Sequence, residues 1–225
     1  SKPITENQNV PLMTPGQDLD FAKWGNVEIK PLNKIKRIAG KRLQKAWQVI
    51  PQVTHFDKAD ITKLEQLRLS LKKINPDKNI KVTLLPFIMK AIVMVLNEMP
   101  QFNSSLDGSN DNLVLKKYFH LGIAVDTENG LMVPIIQNVD QKNIKELSKE
   151  LSIVSQKARE KQLLSSDMEG GCFTISSLGG ISGTNFTPIV NPPEVAILGI
   201  SRMRIEPVYL KSKFRKRKIL PFSLS

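Results

Sequence analysis

The sequence predicts an α/β (α+β) protein in which a mixed sheet is flanked by helices. Amphipathic helical stretches alternate along the chain with short runs of apolar and β-branched residues. Several of these runs are joined by tight turns rather than by helices, which disfavours a doubly wound parallel sheet. The 225 residues, 40% of them apolar, are enough to bury a sizeable core.

Four stretches have the apolar spacing of helices. They cover residues 33–51, 60–74, 84–100 and 143–163. Pro51 marks the end of the first helix, and Asp60 or Thr62 is a suitable N-cap for the second. Pro86 falls in the first turn of the third, where a missing N–H costs little.

The predicted strands lie between these helices and after the last one. They cover residues 52–62, 79–87, 112–127, 130–139, 170–179, 193–210 and 216–225. The third and fourth form a hairpin through Asp126-Thr127-Glu128-Asn129-Gly130.

The cysteine content and the apolar stretches indicate the cellular compartment of the protein. The single cysteine, Cys172, excludes an intramolecular disulfide and a cysteine-based zinc site, which favours a reducing compartment. The N-terminal residues lack the apolar core of a signal peptide, and the apolar stretch 84–100 is too short to span a bilayer. We therefore expect a cytoplasmic protein with no membrane partner.

The formal net charge of +12 is concentrated in two clusters, at residues 34–45 and 211–218. Aromatic residues make up only 6% of the chain, few for a surface that stacks on bases. We expect solvated faces that steer phosphate groups, and no nucleic-acid partner. Nucleic-acid binding through the two clusters is the alternative, and its affinity would fall steeply with salt.

Most catalytic motifs are missing. The two histidines, His55 and His120, are far apart in predicted strands and suggest structural roles, so no metal site is expected. Neither GxGxxG nor GxSxG occurs. What remains is Ser176-Ser177, where a strand meets a glycine-rich turn. A hydroxyl placed there can donate to a developing oxyanion, although a simple β-turn has the same composition.

The stretch GGCFTISSLGGISGTNFTPIVNPPEVAILGISR (170–202) resembles the catalytic domain of the dihydrolipoyl acyltransferases, the core components of 2-oxo acid dehydrogenase complexes. Other landmarks of that family follow in the right order: IPQVTHFDKADITKLEQLR, MPQFNSSLDG, LKKYFHLGIAVDTENGLMVPII and LPFSLS. The resemblance runs from about Asp18 to the end of the chain. THFDKADIT and FNSSL are most similar to the acetyltransferases of bacterial pyruvate dehydrogenase complexes.

The resemblance implies the fold of chloramphenicol acetyltransferase and homotrimers that assemble into a core of 24 or 60 subunits. It implies an active-site channel between two subunits, entered by coenzyme A from one end and by a lipoyl group, carried on a separate domain, from the other. Pyruvate dehydrogenase and dihydrolipoamide dehydrogenase would bind through an upstream domain absent here. Residues 1–18 would then be a linker or tag remnant, and residues 19–225 the acyltransferase catalytic domain.

The implied reaction is acetyl transfer between the dihydrolipoyl arm and coenzyme A, with Ser176 as the oxyanion donor. The family's general base is the histidine of an HxxxDG motif directly after the strand seen here as LPFSLS, and neither His55 nor His120 matches it. We therefore expect the C-terminal end of the domain to be missing and the chain as given to be inactive. The alternative is a non-catalytic scaffold subunit of the same fold.

The resemblance also implies a set of coenzyme A contacts. They are Arg68, Thr83, Asp126, Gln156, Ser176, Ser177 and Ser201. Arg68 can bind phosphate through its planar fork, although an exposed helix arginine is also commonly a solvated charge. Asp126 can instead be a turn residue of the predicted hairpin.

Overall fold

The computed structural model describes residues 19–74, 81–128, 130–180 and 183–225. The described residues fall into two units, one over residues 19–32 and one from Asn33 to Ser225. The described part of the first contains a short 3-10 helix, Phe21–Lys23, whose N-cap Asp20 accepts a hydrogen bond from the Ala22 N–H. The predicted linker over residues 1–18 lies outside the described residues.

The second unit contains the four predicted helices. They are α1 (Lys34–Val49), α2 (Thr62–Ile74), α3 (Leu85–Glu98) and α4 (Ile144–Arg159). The Asn33 side chain caps α1 by accepting from the Lys36 N–H at 2.8 Å. Asn143 and Glu146 form a reciprocal capping box at the start of α4.

In the ranges that the structure describes, ten strands accompany these helices. They are β1 (His55–Asp60), β2 (Ser104–Leu106), β3 (Leu113–Leu115), β4 (Leu121–Thr127), β5 (Gly130–Met132), β6 (Ile135–Ile136), β7 (Phe173–Ser177), β8 (Ile197–Ile200), β9 (Arg204–Leu210) and β10 (Lys213–Leu224). The main sheet has the order β1-β10-β8-β7-β4-β5, with β6 also paired to β4 and β9 to β10. Strands β2 and β3 form a separate pair.

The centre of the main sheet is parallel and its flanks are antiparallel. Strand β7 runs parallel to β4 on one side and to β8 on the other. The remaining pairs, including β10 with β1 and β8, are antiparallel. The mixed sheet predicted from the tight turns is confirmed.

One core joins the sheet to the helices. Met89 of α3, Leu147 of α4, and Leu121 and Ile175 of the central strands are all fully buried in it. Burying a side chain of this size stabilises the fold by roughly 1.5–3 kcal/mol. The core therefore fixes the central strands, whose carboxyl ends carry the predicted serines.

Four strand predictions need correction. The predicted strand 130–139 is divided into β5 and β6, and the predicted strand 193–210 is divided into β8 and β9. Residues 79–80 lie outside the described part, but residues 81–84 form no strand. The Val82 carbonyl instead accepts a hydrogen bond from Arg68 Nη1 at 2.9 Å, so a side chain takes the place of a partner strand. The predicted strand 112–127 is divided into β3 and β4, because Asn103 Nδ2 donates to the carbonyls of Lys116 and Tyr118 between them.

Within the described residues, no helix combines the length and the apolar content needed to cross a membrane. The most apolar helix, α3, has 14 residues.

Candidate functional site

A cavity of about 640 Å³ lies beside the carboxyl ends of β7 and β8. Its walls come from α2, the start of α3, the last residue of α4 and the turn after β7. The lining residues are Glu65, Arg68, Thr83, Leu84, Leu85, Ile88, Arg159, Ser177, Gly179, Gly180, Ile200, Ser201, Met203 and Leu220. This volume falls within the usual range for small-molecule sites, about 300–1,000 Å³.

Four of the seven predicted coenzyme A contacts line this cavity: Arg68, Thr83, Ser177 and Ser201. Ser177 is the last residue of β7, and Ser201 directly follows β8. The two serines meet because the strands are parallel and end at the same edge of the sheet. The fold therefore brings together four residues that are far apart in the sequence.

The Arg68 guanidinium is held by an internal carboxylate. Its Nε and Nη2 atoms each donate to one oxygen of Glu65 at 2.7 Å. These hydrogen bonds lower the pKa of the Glu65 carboxyl although the side chain is buried. Glu65 also lies 3.6 Å from the Lys218 ammonium, so it stays ionised between two cations. The arginine fork predicted to bind phosphate is thus occupied on one edge by Glu65.

Ser176 lies on the other face of the sheet from Ser177, because successive side chains of a strand alternate. Its neighbours across the sheet are Ala124 on β4 and Gly199 on β8, and Gly199 is followed by Ser223 on β10. Ser176 is half-buried, and its hydroxyl makes no hydrogen bond to any residue that the structure describes. The hydroxyl is therefore available as a donor above a row of small side chains.

Gly199 is required by close contacts on that row. A Cβ at this position would lie 2.8 Å from Cζ of Phe186 and would also clash with the Ser223 hydroxyl. The Phe186 ring therefore rests directly on the backbone of β8. Neither Gly199 nor Phe186 was predicted from the sequence, although a glycine inside an apolar strand often marks a close approach to the backbone.

Gln156 and Asp126 lie outside the cavity. The Gln156 side chain is exposed and donates to Glu160 at 2.8 Å on the same helix. Asp126 is exposed near the end of β4, opposite Leu131 of the β4–β5 hairpin. Their roles as coenzyme A contacts stay predictions.

Arg159 is a lining residue that the sequence analysis missed. It ends α4, three residues after Gln156, and so shares a helix face with it. The three-residue spacing from Gln156 could have indicated Arg159 in the sequence, because a ligand that contacts one of these residues can reach the other.

Neither described histidine lines the cavity. His120 Nδ1 accepts a hydrogen bond from the Asn138 N–H at 3.1 Å, and its ring lies 4.6 Å from that of Tyr118. His55 is the exposed first residue of β1. No group of three or more metal-binding side chains is found in the described ranges.

Comparisons with known proteins show what the chain resembles. Residues 25–225 match the family model of the 2-oxoacid dehydrogenase acyltransferases (catalytic domain). The dihydrolipoyllysine-residue acetyltransferase component of the pyruvate dehydrogenase complex of Haemophilus influenzae is 52% identical over 215 residues. That alignment covers 95% of this chain and 38% of the relative, so the chain spans less than two fifths of the relative's length.

Solved structures of acetyltransferases also match this chain. A crystal structure of the dihydrolipoamide acetyltransferase of Azotobacter vinelandii matches with a TM-score of 0.91 and 47% identity, covering 94% of this chain and 87% of that one. The cubic core of a pyruvate dehydrogenase multienzyme complex matches with the same TM-score, identity and coverage. Chloramphenicol acetyltransferase matches with a TM-score of 0.51 at 13% identity, which shows a shared fold alone.

Proposed function

Because this chain belongs to the catalytic-domain family of the 2-oxoacid dehydrogenase acyltransferases, we propose that it transfers an acetyl group between a dihydrolipoyl arm and coenzyme A. The preference for acetyl is supported by the relatives of Haemophilus influenzae and Cupriavidus necator, both acetyltransferase components of pyruvate dehydrogenase complexes. The protein would be the core component of such a complex in the bacterial cytoplasm.

The observation that carries this proposal is the unpaired Ser176 hydroxyl next to a ligand-sized cavity. Ser176 and the cavity-lining Ser177 are consecutive, so their Cα atoms are about 3.8 Å apart. Gly179, two residues further on, has only the Ser177 hydroxyl near its missing Cβ. Because the Ser176 side chain lies on the other face of the sheet, the thiol arm of coenzyme A held in the cavity would have to pass the end of β7 to reach the Ser176 hydroxyl. Arg68, Thr83, Ser177 and Ser201 would contact the coenzyme.

The chemistry follows from thioester exchange. The coenzyme A thiol gives its proton to a general base, and the sulfur attacks the carbonyl carbon of the acetylated dihydrolipoyl group. Ser176 donates a hydrogen bond to the oxyanion of the tetrahedral intermediate. The bond from carbon to the lipoyl sulfur then breaks, and the departing sulfur takes the proton back from the base. The resemblance to the family implies that the histidine of the HxxxDG motif would be that base. Neither His55 nor His120 lines the cavity.

We also propose that the chain forms trimers that build a larger core, as the cubic core found among its structural relatives suggests. Helix α1 supports self-association because several large apolar side chains on it are exposed. They are Ile35, Ile38, Leu43, Trp47 and Val49. The lipoyl group and the two other enzymes of the complex would be held by domains outside this chain.

The proposal is tested by acetyl transfer from acetyl-coenzyme A to free dihydrolipoamide, using the purified protein that contains this chain. We expect turnover that saturates with acetyl-coenzyme A and is faster than with succinyl-coenzyme A. Folded protein that binds coenzyme A but transfers no acetyl group would overturn the proposal in favour of a scaffold subunit.

A further inference from the structure

Three lining residues of the cavity carry charge: Glu65, Arg68 and Arg159. We propose that Arg159 is the residue that recognises the phosphate groups of coenzyme A, and that Arg68 mainly braces the cavity wall. This inference rests on the proposed function. It reverses the sequence-based expectation, in which Arg68 was the arginine assigned to phosphate.

The Arg68 guanidinium already has a carboxylate partner in Glu65, which it shares with Lys218. Both Glu65 carboxylate oxygens accept from its guanidinium, and a third N–H is used by the Val82 carbonyl. A guanidinium has five N–H donors, so three are used within the protein and two remain. The three hydrogen bonds connect α2 to the segment before α3. Arg68 therefore holds two walls of the cavity together.

Arg159 has no such partner. It makes no salt bridge or hydrogen bond with any residue in the described ranges. The nearby Glu160 accepts a hydrogen bond from Gln156 instead. As the last residue of α4, Arg159 also lies at the negative end of the helix dipole, which stabilises its charge without neutralising it. Among the lining residues that the structure describes, Arg159 is a cation without a protein partner, so its charge is available to a ligand.

The part of the lining that comes from the turn after β7 suits a phosphate. Ser177 supplies a hydroxyl there, and it is followed by Gly179 and Gly180. Apart from its chain neighbours, no described residue has an atom within 4 Å of the site of a missing Cβ on Gly180, so this wall is open there. A guanidinium, a hydroxyl and an open backbone together match a phosphate ester, whose oxygens accept from planar N–H forks.

The inference is tested by calorimetric titration of the purified protein with coenzyme A and with pantetheine, which carries the thiol arm but no phosphate. We expect Arg159→Gln to weaken coenzyme A binding by about 10- to 100-fold, the effect of losing a charge-assisted hydrogen bond. Pantetheine binding should stay unchanged. Lys157→Gln is the matched control, because Lys157 is exposed in the same last turn of α4 but does not line the cavity.

Two results would overturn the inference, and they are distinguishable. Equal coenzyme A affinity of Arg159→Gln and Lys157→Gln would refute the role of Arg159 while leaving the proposed function intact. A folded wild-type protein that binds neither ligand would refute both.

Discussion

Glu194 is a buried carboxyl group whose charge the fold disfavours. Only 6% of the residue is exposed, and its Oε2 atom has no hydrogen-bond partner among the described residues. Burial raises its pKa to about 7, although the nearby Lys116 charge acts in the opposite direction. A Cβ on Gly171 would come within 2.9 Å of Glu194 Oε1, so the carboxyl group is closely enclosed.

This environment predicts a pH-dependent stability. The folded protein keeps a proton on Glu194 that the unfolded chain loses above its ordinary pKa of 4.5. The free energy of unfolding should therefore fall by up to about 3 kcal/mol as the pH rises from 4.5 to 7, and this contribution stays lost above pH 7. Glu194→Gln should unfold at higher urea than wild type at pH 8 and show little change at pH 5.

The control is Glu169→Gln, which alters an exposed carboxylate. Urea unfolding curves at both pH values measure the effect. A Glu194→Gln variant that is destabilised equally at pH 5 and pH 8 would show that the Glu194 carboxyl group does not cause the pH dependence of stability.

The residues of the candidate site could be predicted only in part from the sequence. Ser177 and Ser201 followed from the motif, and the parallel strands explain why both reach one cavity. The position of Ser176 on the opposite face required the register with Ala124 and Gly199. The pairing of Arg68 with Glu65 was visible only as a three-residue spacing, which occurs by chance in many helices.

At the scale of elements, helices were predicted better than strands. The four helices carry their apolar period and their caps within the sequence itself, as Asn33 and Asn143 show. A strand also needs a partner from a distant segment. Residues 81–84 have a strand-like composition but pair with none, because Arg68 bonds to Val82 instead.

The capping box of α4 gives a prediction for an element. The Asn143 side chain accepts from the Lys145 and Glu146 N–H groups, and the Glu146 carboxylate accepts from the Asn143 N–H. Asn143→Ala should lower the free energy of unfolding by about 1 kcal/mol, since two helix N–H groups lose their acceptor. Chemical denaturation measures this loss.

Lys149→Ala, on the exposed side of the same helix, is the control and should change stability little. If both substitutions have equal effects, the cap does not stabilise α4.

Ion pairs within the protein explain part of the positive charge on the hairpin of β9 and β10. Its turn residues Lys211 and Ser212 both have positive φ, as a two-residue hairpin turn requires. Arg217 lies 3.5 Å from Asp60, and Lys218 lies near Glu65. Two of the six cations in this cluster therefore connect the hairpin to β1 and α2.

At the scale of the whole molecule, the exposed apolar side chains of α1 predict self-association. Trp47 is 61% exposed, unusual for a tryptophan in a water-facing position. If another copy covers it, Trp47→Glu should weaken assembly at least about tenfold, because buried tryptophans commonly dominate interface energies.

Sedimentation velocity over a range of concentrations measures the change. Lys41→Glu serves as the control, since it alters the charge of α1 by a larger amount at an exposed polar position. Equal sedimentation of wild type and Trp47→Glu at all concentrations would show that α1 is not part of an interface.

The central claim is that Ser176 stabilises the oxyanion of an acyl transfer. The most direct test compares kcat for acetyl transfer from acetyl-coenzyme A to dihydrolipoamide between wild type and Ser176→Ala, with Ser152→Ala on the exposed surface of α4 as control. We predict a fall of about 100- to 1,000-fold for Ser176→Ala with unchanged coenzyme A affinity, and no change for Ser152→Ala. A Ser176→Ala variant that keeps wild-type kcat would contradict the account.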